Sequence, residues 1–230
     1  MFWQEDEDKT LPYEVSDNIV DLSFTIKCKK LPIDHAWELS QALKPLLPWV
    51  DNDPAFAMHQ IHVAETGNGW LRPEDTENEL LWPSRRTKMT LRLSKQYVEE
   101  AKQQLTGNSI TIRDTPLVFG TAKIKTFTNA SVIFSRYIAS PEDEDENTFL
   151  QRMYEEIIQL TGVNVRKMIC GKSHKIHTPA EEITTKHLMI ADLDSEPSIK
   201  LQQYGLGGKK QLGCGLFMPH KGIKSLNAGE

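Results

Sequence analysis

From Ile19 to Lys27 polar and apolar residues alternate, with Val20, Leu22, Phe24 and Ile26 on one face, and this period of two predicts a strand with one side against a core. The period then lengthens. Leu39, Ala42, Leu43, Leu46 and Leu47 recur at helical spacing, so a helix is predicted over residues 34–47, with Asp34 as its N-cap and Pro48 as its stop. Strands follow over 56–64 and 87–93, separated by a Gly-, Asn- and Pro-rich insertion; a helix over 95–105 ends near Gly107, and residues 109–112, extended through 117–119, close the unit. The element order is β-α-β-β-α-β.

The second half repeats that order. A strand over 131–139, an acidic turn, a helix over 147–160 closed by Gly162, strands over 164–170 and 186–193, a helix over 196–204, a glycine-rich loop and a strand over 212–218 follow one another. The predicted fold class is therefore α+β: two tandem ferredoxin-like (RRM-like) βαββαβ units, each an antiparallel sheet with two helices on one face. They would occupy residues 19–127 and 128–224, with a glycine-rich loop at 205–215, an acidic leader at 1–18 and a tail at 225–230.

The 230 residues carry a net charge of −5, which as a sum argues against a polyanionic ligand. Its distribution changes that picture. Nine of the 32 acids fall in two runs, residues 5–8 and 142–146; outside them 23 acids face 27 Lys and Arg. From Lys200 onward Lys200, Lys209, Lys210, Lys221 and Lys224 oppose Glu230 alone, so positive charge gathers around the glycine loop. No apolar run reaches membrane-spanning length and the N-terminus is acidic, so a cytoplasmic location is expected. Cys28, Cys170 and Cys214 are far apart and form no C-x-x-C pair, which suggests reduced thiols rather than disulfides or a zinc site.

The loop Gly205-Leu206-Gly207-Gly208-Lys209-Lys210-Gln211-Leu212-Gly213-Cys214-Gly215 pairs five glycines with two lysines before an apolar stretch. Glycine permits positive φ and close approach, so main-chain N–H groups of such a loop can converge on a phosphate chain. A Walker loop and a dinucleotide fingerprint are both excluded, the first by its missing consensus and the second because the loop precedes a strand-like segment rather than a helix. The alternative is a glycine-rich hairpin that only turns the chain.

With its two units and this loop, the chain resembles the CRISPR-associated repeat-processing endoribonucleases, the sixth Cas family, especially the myxobacterial-type subgroup. The resemblance rests on Leu31-Pro32-Ile33-Asp34-His35-Ala36-Trp37-Glu38-Leu39, on Gly67-Asn68-Gly69-Trp70, on Ser84-Arg85-Arg86-Thr87, and on Leu201 to Gly207 running into Gly213-Cys214-Gly215-Leu216-Phe217-Met218-Pro219. It spans almost the whole chain. It implies metal-independent cleavage, without a cofactor, of the repeat RNA in a CRISPR precursor transcript. It also implies that the guide RNA produced can be carried into an interference complex with other Cas proteins. A noncatalytic RNA-binding subunit built on the same fold is the alternative.

Cutting RNA without a metal uses the 2′-hydroxyl as nucleophile and needs a base, an acid and positive charge. His35 at the helix start is the first candidate for the base, because a helix N-terminus favours phosphate and disfavours imidazolium; the alternative is a capping or staple histidine packed between helix and sheet. His59 is the second. It is expected on the opposite strand face from His62, three residues on, so that only one of the two can share a cleft with His35. Arg85 and Arg86 are candidate phosphate forks, Trp70 a candidate base-stacking side chain, and Gly205, Gly207, Gly208, Lys209, Lys210, Gly213 and Gly215 the RNA-binding loop. No metal ligand set is expected, since His174-x-x-His177 lacks neighbouring Cys or carboxylate donors.

Overall fold

The computed structural model describes residues 15–63 and 79–220; the Gly67 to Trp70 motif, and with it the stacking expectation for Trp70, lies outside them. In the first half the elements run β1 (Ile19–Cys28), β2 (Leu31–Pro32), α1 (Ala36–Leu43), β3 (Ala57–Met58), β4 (Leu80–Leu81), β5 (Lys88–Ser94), α2 (Val98–Leu105), β6 (Ser109–Ile112) and β7 (Thr115–Lys125). Five of these strands form an antiparallel sheet in the order β3-β5-β1-β7-β6. Leu22 and Phe24 of β1 and Met89, Leu91 and Leu93 of β5 pack with Leu39 and Leu43 of α1 and Val98, Ala101 and Leu105 of α2 in one core. Both helices therefore cover one face. Each of these Leu, Phe, Met and Val side chains, fully buried, contributes roughly 1.5 to 3 kcal/mol.

The second half runs β8 (Ile133–Ala139), α3 (Glu146–Thr161), β9 (Lys167–His177), β10 (Glu182–Ala191), α4 (Ser195–Tyr204) and β11 (Met218–Pro219). Its antiparallel sheet has the order β11-β8-β10-β9, and Ile133, Leu188 and Ile190 pack against Phe149, Met153 and Ile157 of α3 and Leu201 of α4. Asp145 caps α3 by accepting from the N–H of Asn147 and Thr148, and Gly162 closes it in the left-handed region at φ 75°.

Several expected boundaries are corrected. The first helix covers Ala36–Leu43 rather than 34–47, because Pro45 lacks the N–H that would continue it. Asp34 is not its cap; its carboxylate accepts from the backbone N–H of His177 in the other half, at 2.9 Å. Of the strand expected over 56–64, only Ala57–Met58 pairs among the described residues. The strand expected to close the first unit is a hairpin turning at Arg113, and its second arm β7, not β6, pairs with β1. β9 extends to His177, well past residue 170, and of the strand expected over 212–218 only β11 pairs, after a 3-10 turn at Lys210–Leu212. The cysteines are unpaired, and burial pushes the Cys214 thiol up to about 12. Among the described residues no helix is long and apolar enough to cross a membrane.

Candidate nucleic-acid interface

The helices leave one face of the first sheet open, and alternation puts Asp21 and Ser23 of β1 and Lys88, Thr90 and Arg92 of β5 there. Arg92 joins this face to the second half. Only 1% of its surface is exposed; Nε donates to Asp21 Oδ1 at 2.9 Å and Nη2 to Asp21 Oδ2 at 3.2 Å and to the carbonyl of Phe217 at 3.3 Å. Beside that junction lies a cleft of about 420 Å³, lined by Asp21, His59, His62, Arg86, Lys88 and Lys125 of the first half among others, with Met218 of the second half at its edge.

His59 and His62 both line this cleft, which corrects the expectation that they face opposite ways. The alternation assumed a continuous strand, whereas the chain leaves the sheet after Met58. The N–H of His59 still donates to Thr90 O at 2.9 Å, but the Gln60 side chain is drawn to the carbonyl of Leu212 at 2.9 Å. His59 Nε2 lies 3.4 Å from Asp21 Oδ2. Burial would raise the Asp21 carboxyl, but Arg92 and His59 outweigh it and hold the group well below the usual carboxylate range. A fixed negative charge thus faces the imidazole. The His62 ring stacks on Tyr137 with centroids 5.8 Å apart, and His174 meets the same ring edge-on at 5.8 Å.

His35 lies outside this arrangement. It is 1% exposed, with Nδ1 2.8 Å from Pro32 O and 2.9 Å from Ile33 O, and Nε2 accepts the N–H of Ile61 at 2.9 Å. That pattern needs the neutral tautomer protonated on Nδ1. Its ring supports the segment bearing His59 and His62 from beneath. Arg85 and Arg86 are exposed in the turn before β5, and of the two Arg86 lines the cleft.

The glycine loop is held mainly by its own chain. A Cβ on Gly215 (φ 73°) would sit 1.9 Å from Leu206 O, one on Gly205 (φ 65°) 2.3 Å from Gly215 O, and one on Gly213 3.0 Å from Met58 O. These glycines are required by close backbone packing. The N–H of Leu206 donates to Gly215 O, that of Gly213 to Lys210 O and that of Gly215 to Tyr137 O, while Gly207 donates to the Glu156 carboxylate at 2.8 Å. The expected convergence of loop N–H groups on an anion is therefore not the arrangement found for these four. Lys209 pairs with Glu181, and the Lys210 amine is pushed down by burial and then by Arg92. Gly207, Gly208, Lys209 and Lys210 nevertheless line a second groove of about 630 Å³ against Trp37 and Lys44 near α1.

Asp21, Lys125 and Tyr137 were not expected at the site, and His62 was expected on the other strand face. The alternation of β1 already put Asp21 on the polar face, the one signal available for it. The others join the cleft through a broken strand, a hairpin and a contact between the halves, none of which has a local pattern.

Residues 20–222 match the family described as Cas6 Crispr. A CRISPR-associated endonuclease Cas6 from Myxococcus xanthus strain DK1622 is 26% identical over 200 residues, covering 87% of this chain and 81% of the relative. A solved structure of a Cas6-related gene from Pyrococcus furiosus superposes with a TM-score of 0.59 at 14% identity, covering 88% of this chain and 99% of its own. A RAMP protein described as binding different RNA substrates gives 0.57 at 12% identity, with 86% and 98% covered. Thermus thermophilus Cse3, bound to an RNA representing a pre-cleavage complex, gives 0.50 at 8% identity, with 87% and 98% covered. The structural likenesses show a shared ferredoxin-like fold, and the match over nearly the full length shows that the chain belongs to the Cas6 CRISPR family.

Proposed function

We propose that this protein is an endoribonuclease that binds CRISPR repeat RNA and cuts it, without a metal ion or other cofactor, to give guide RNA in the cytoplasm. The observation that carries the reading is the placing of two histidines, His59 and His62, in one cation-lined cleft of a Cas6-family chain. The endonuclease name of the Myxococcus relative and the RNA bound to Cse3 point the same way.

In this reading Arg86, Lys88 and Lys125 bind backbone phosphates and bring one of them beside His59. Neutral His59 takes the proton of the 2′-hydroxyl as that oxygen attacks phosphorus, and Asp21 stabilises the imidazolium formed. The bond to the 5′-oxygen breaks, the leaving oxygen receives a proton from His62 acting as the acid, and a cyclic 2′,3′-phosphate and a 5′-hydroxyl remain. Lys209 and Lys210 extend the electrostatic footprint beyond the cleft, and Lys209 exchanges Glu181 for phosphate. The guide RNA can then pass to a complex of other Cas proteins.

The test is cleavage of a synthetic repeat hairpin from an array at the protein's own locus, in excess chelator, with the product ends identified. Cutting with a cyclic phosphate end is expected. Binding of every such repeat without cleavage by folded protein overturns the enzyme reading and leaves a noncatalytic RNA-binding subunit.

A further inference from the structure

One row of side chains crosses the open face of the second sheet. Met189 of β10 lies opposite Ile169 of β9 on one side and Phe134 of β8 on the other, and Phe134 lies opposite Met218 of β11. Their neighbours Ile133, Leu188 and Ile190 pack under α3 and α4, so alternation turns the row away from the helices. Ile169 is 62% exposed, unusual for an isoleucine within a strand.

The next row carries π-systems and charge. The Phe134 ring lies near-parallel to His187 with centroids 5.8 Å apart and meets His220 edge-on at 5.7 Å, while Arg136 Cζ stands 5.1 Å over the Phe134 ring. On β9 the position facing His187 is Gly171. A Cβ there would lie 2.9 Å from His187 Nδ1, so the missing side chain is what lets the imidazole lie across the sheet. Burial, then Arg136 and His220, hold His187 below the usual histidine pKa.

We propose that the row Ile169, Met189, Phe134 and Met218, with His187 and Arg136 beside it, is a stacking platform for unpaired bases of the RNA whose backbone occupies the His59 cleft. The inference rests on the RNA-binding reading above. Continuity supports it: Met218 lines the cleft, and Arg136 borders the same recess as His59 and His62. Adjacent strands lie about 4.7 to 4.9 Å apart, so four strands span about 14 Å, room for two or three bases. Charge supports it too. Arg136 and the cleft's Arg86, Lys88 and Lys125 suit a phosphate chain running alongside, whereas a docking protein helix would have to bury the Arg136 guanidinium without an acid of its own.

The experiment compares two oligomers of equal charge, single-stranded octauridylate and an abasic phosphodiester octamer, titrated against the full chain by fluorescence anisotropy. The wild type is expected to prefer the base-bearing oligomer, by about 5- to 150-fold for each base stacked. Phe134→Leu, which keeps apolar volume and removes the ring, should lose most of that preference while binding the abasic oligomer as before. Ile169→Ala, at an exposed position, should lower the preference without loss of folding, and serves if the Phe134 variant does not fold. Equal affinity of the wild type for both oligomers overturns the platform and leaves the RNA reading standing, as does an undiminished preference in both variants. Failure of the wild type to bind either oligomer or repeat RNA overturns both.

Discussion

His35 accepts the backbone N–H of Ile61 through Nε2 at 2.9 Å, and that bond ties the start of α1 to the segment carrying His59 and His62. A side chain placed by sequence at the head of a helix, where phosphate is favoured, lies buried beneath the segment whose two imidazoles line the cleft.

Replacing His35 by alanine is expected to lower stability first. It strands the buried N–H of Ile61, which costs about 1 to 3 kcal/mol, and for a chain of this size each kcal/mol lowers Tm by roughly 2 to 4 °C. Thermal unfolding of the variant reads this out. An unchanged Tm with cleavage slowed a thousandfold would restore His35 to the chemistry.

His59→Ala and His62→Ala should each slow single-turnover cleavage by about 10² to 10⁴; repeat-RNA affinity should change little for His59→Ala, a neutral base, and by no more than about one phosphate contact for His62→Ala, whose ring carries the proton it donates. Single-turnover conditions keep slow product release from hiding the chemical step. Wild-type rates in both variants would move proton transfer to another residue.

Salt dependence separates the cations. Each phosphate contact with single-stranded RNA contributes about 0.7 to the slope of log affinity against log salt. Arg86→Ala and Lys88→Ala, exposed residues at the cleft, should each reduce the slope by about that amount. Lys209→Ala should reduce it by less, since Lys209 is already paired with Glu181 and would have to release it to meet a phosphate. An equal reduction for all three would show that the glycine loop grips RNA as closely as the cleft does.

The loop glycines divide in the same manner. Gly215→Ala puts a Cβ 1.9 Å from Leu206 O at φ 73°, whereas a Cβ on Gly208 meets nothing within 4 Å. Gly215→Ala is expected to unfold the protein or lower Tm by many degrees, and Gly208→Ala to fold normally. Equal melting temperatures would refute the packing account of the loop.

One contact between the halves should respond to pH. His177 Nδ1 lies 2.6 Å from Asp34 Oδ2 and Nε2 2.8 Å from Glu182 Oε2. The bond to Asp34, opposed by burial and helped by Glu182, raises the His177 pKa above its ordinary 6.5. A raised pKa means that the stabilisation is fully present below about 6.5, the unfolded value, and is lost as pH climbs through the folded one. Tm should therefore fall with rising pH above neutrality more steeply in the wild type than in His177→Gln. Parallel curves would deny the charged contact.

Much of the fold was legible along the chain, because local pattern determines local structure. Period-two alternation identified β1, strand-like runs identified β5 and β8, an acidic turn before it and Gly162 at its end identified α3, and element order identified the fold class. The family, too, could be read from the His35 helix motif and the glycine loop, which survive as local strings whatever their role. What tertiary structure alone decided was the direction in which those residues point. His35 turns inward because Ile61 offers it an N–H from a segment 26 positions away. His59 and His62 share a cleft because long-range partners pull residues 59–63 out of the sheet, and Gly205 and Gly215 serve each other's backbones across the loop. Such contacts join residues distant in sequence, and periodicity, which records only which side of an element faces the core, carries no information about them.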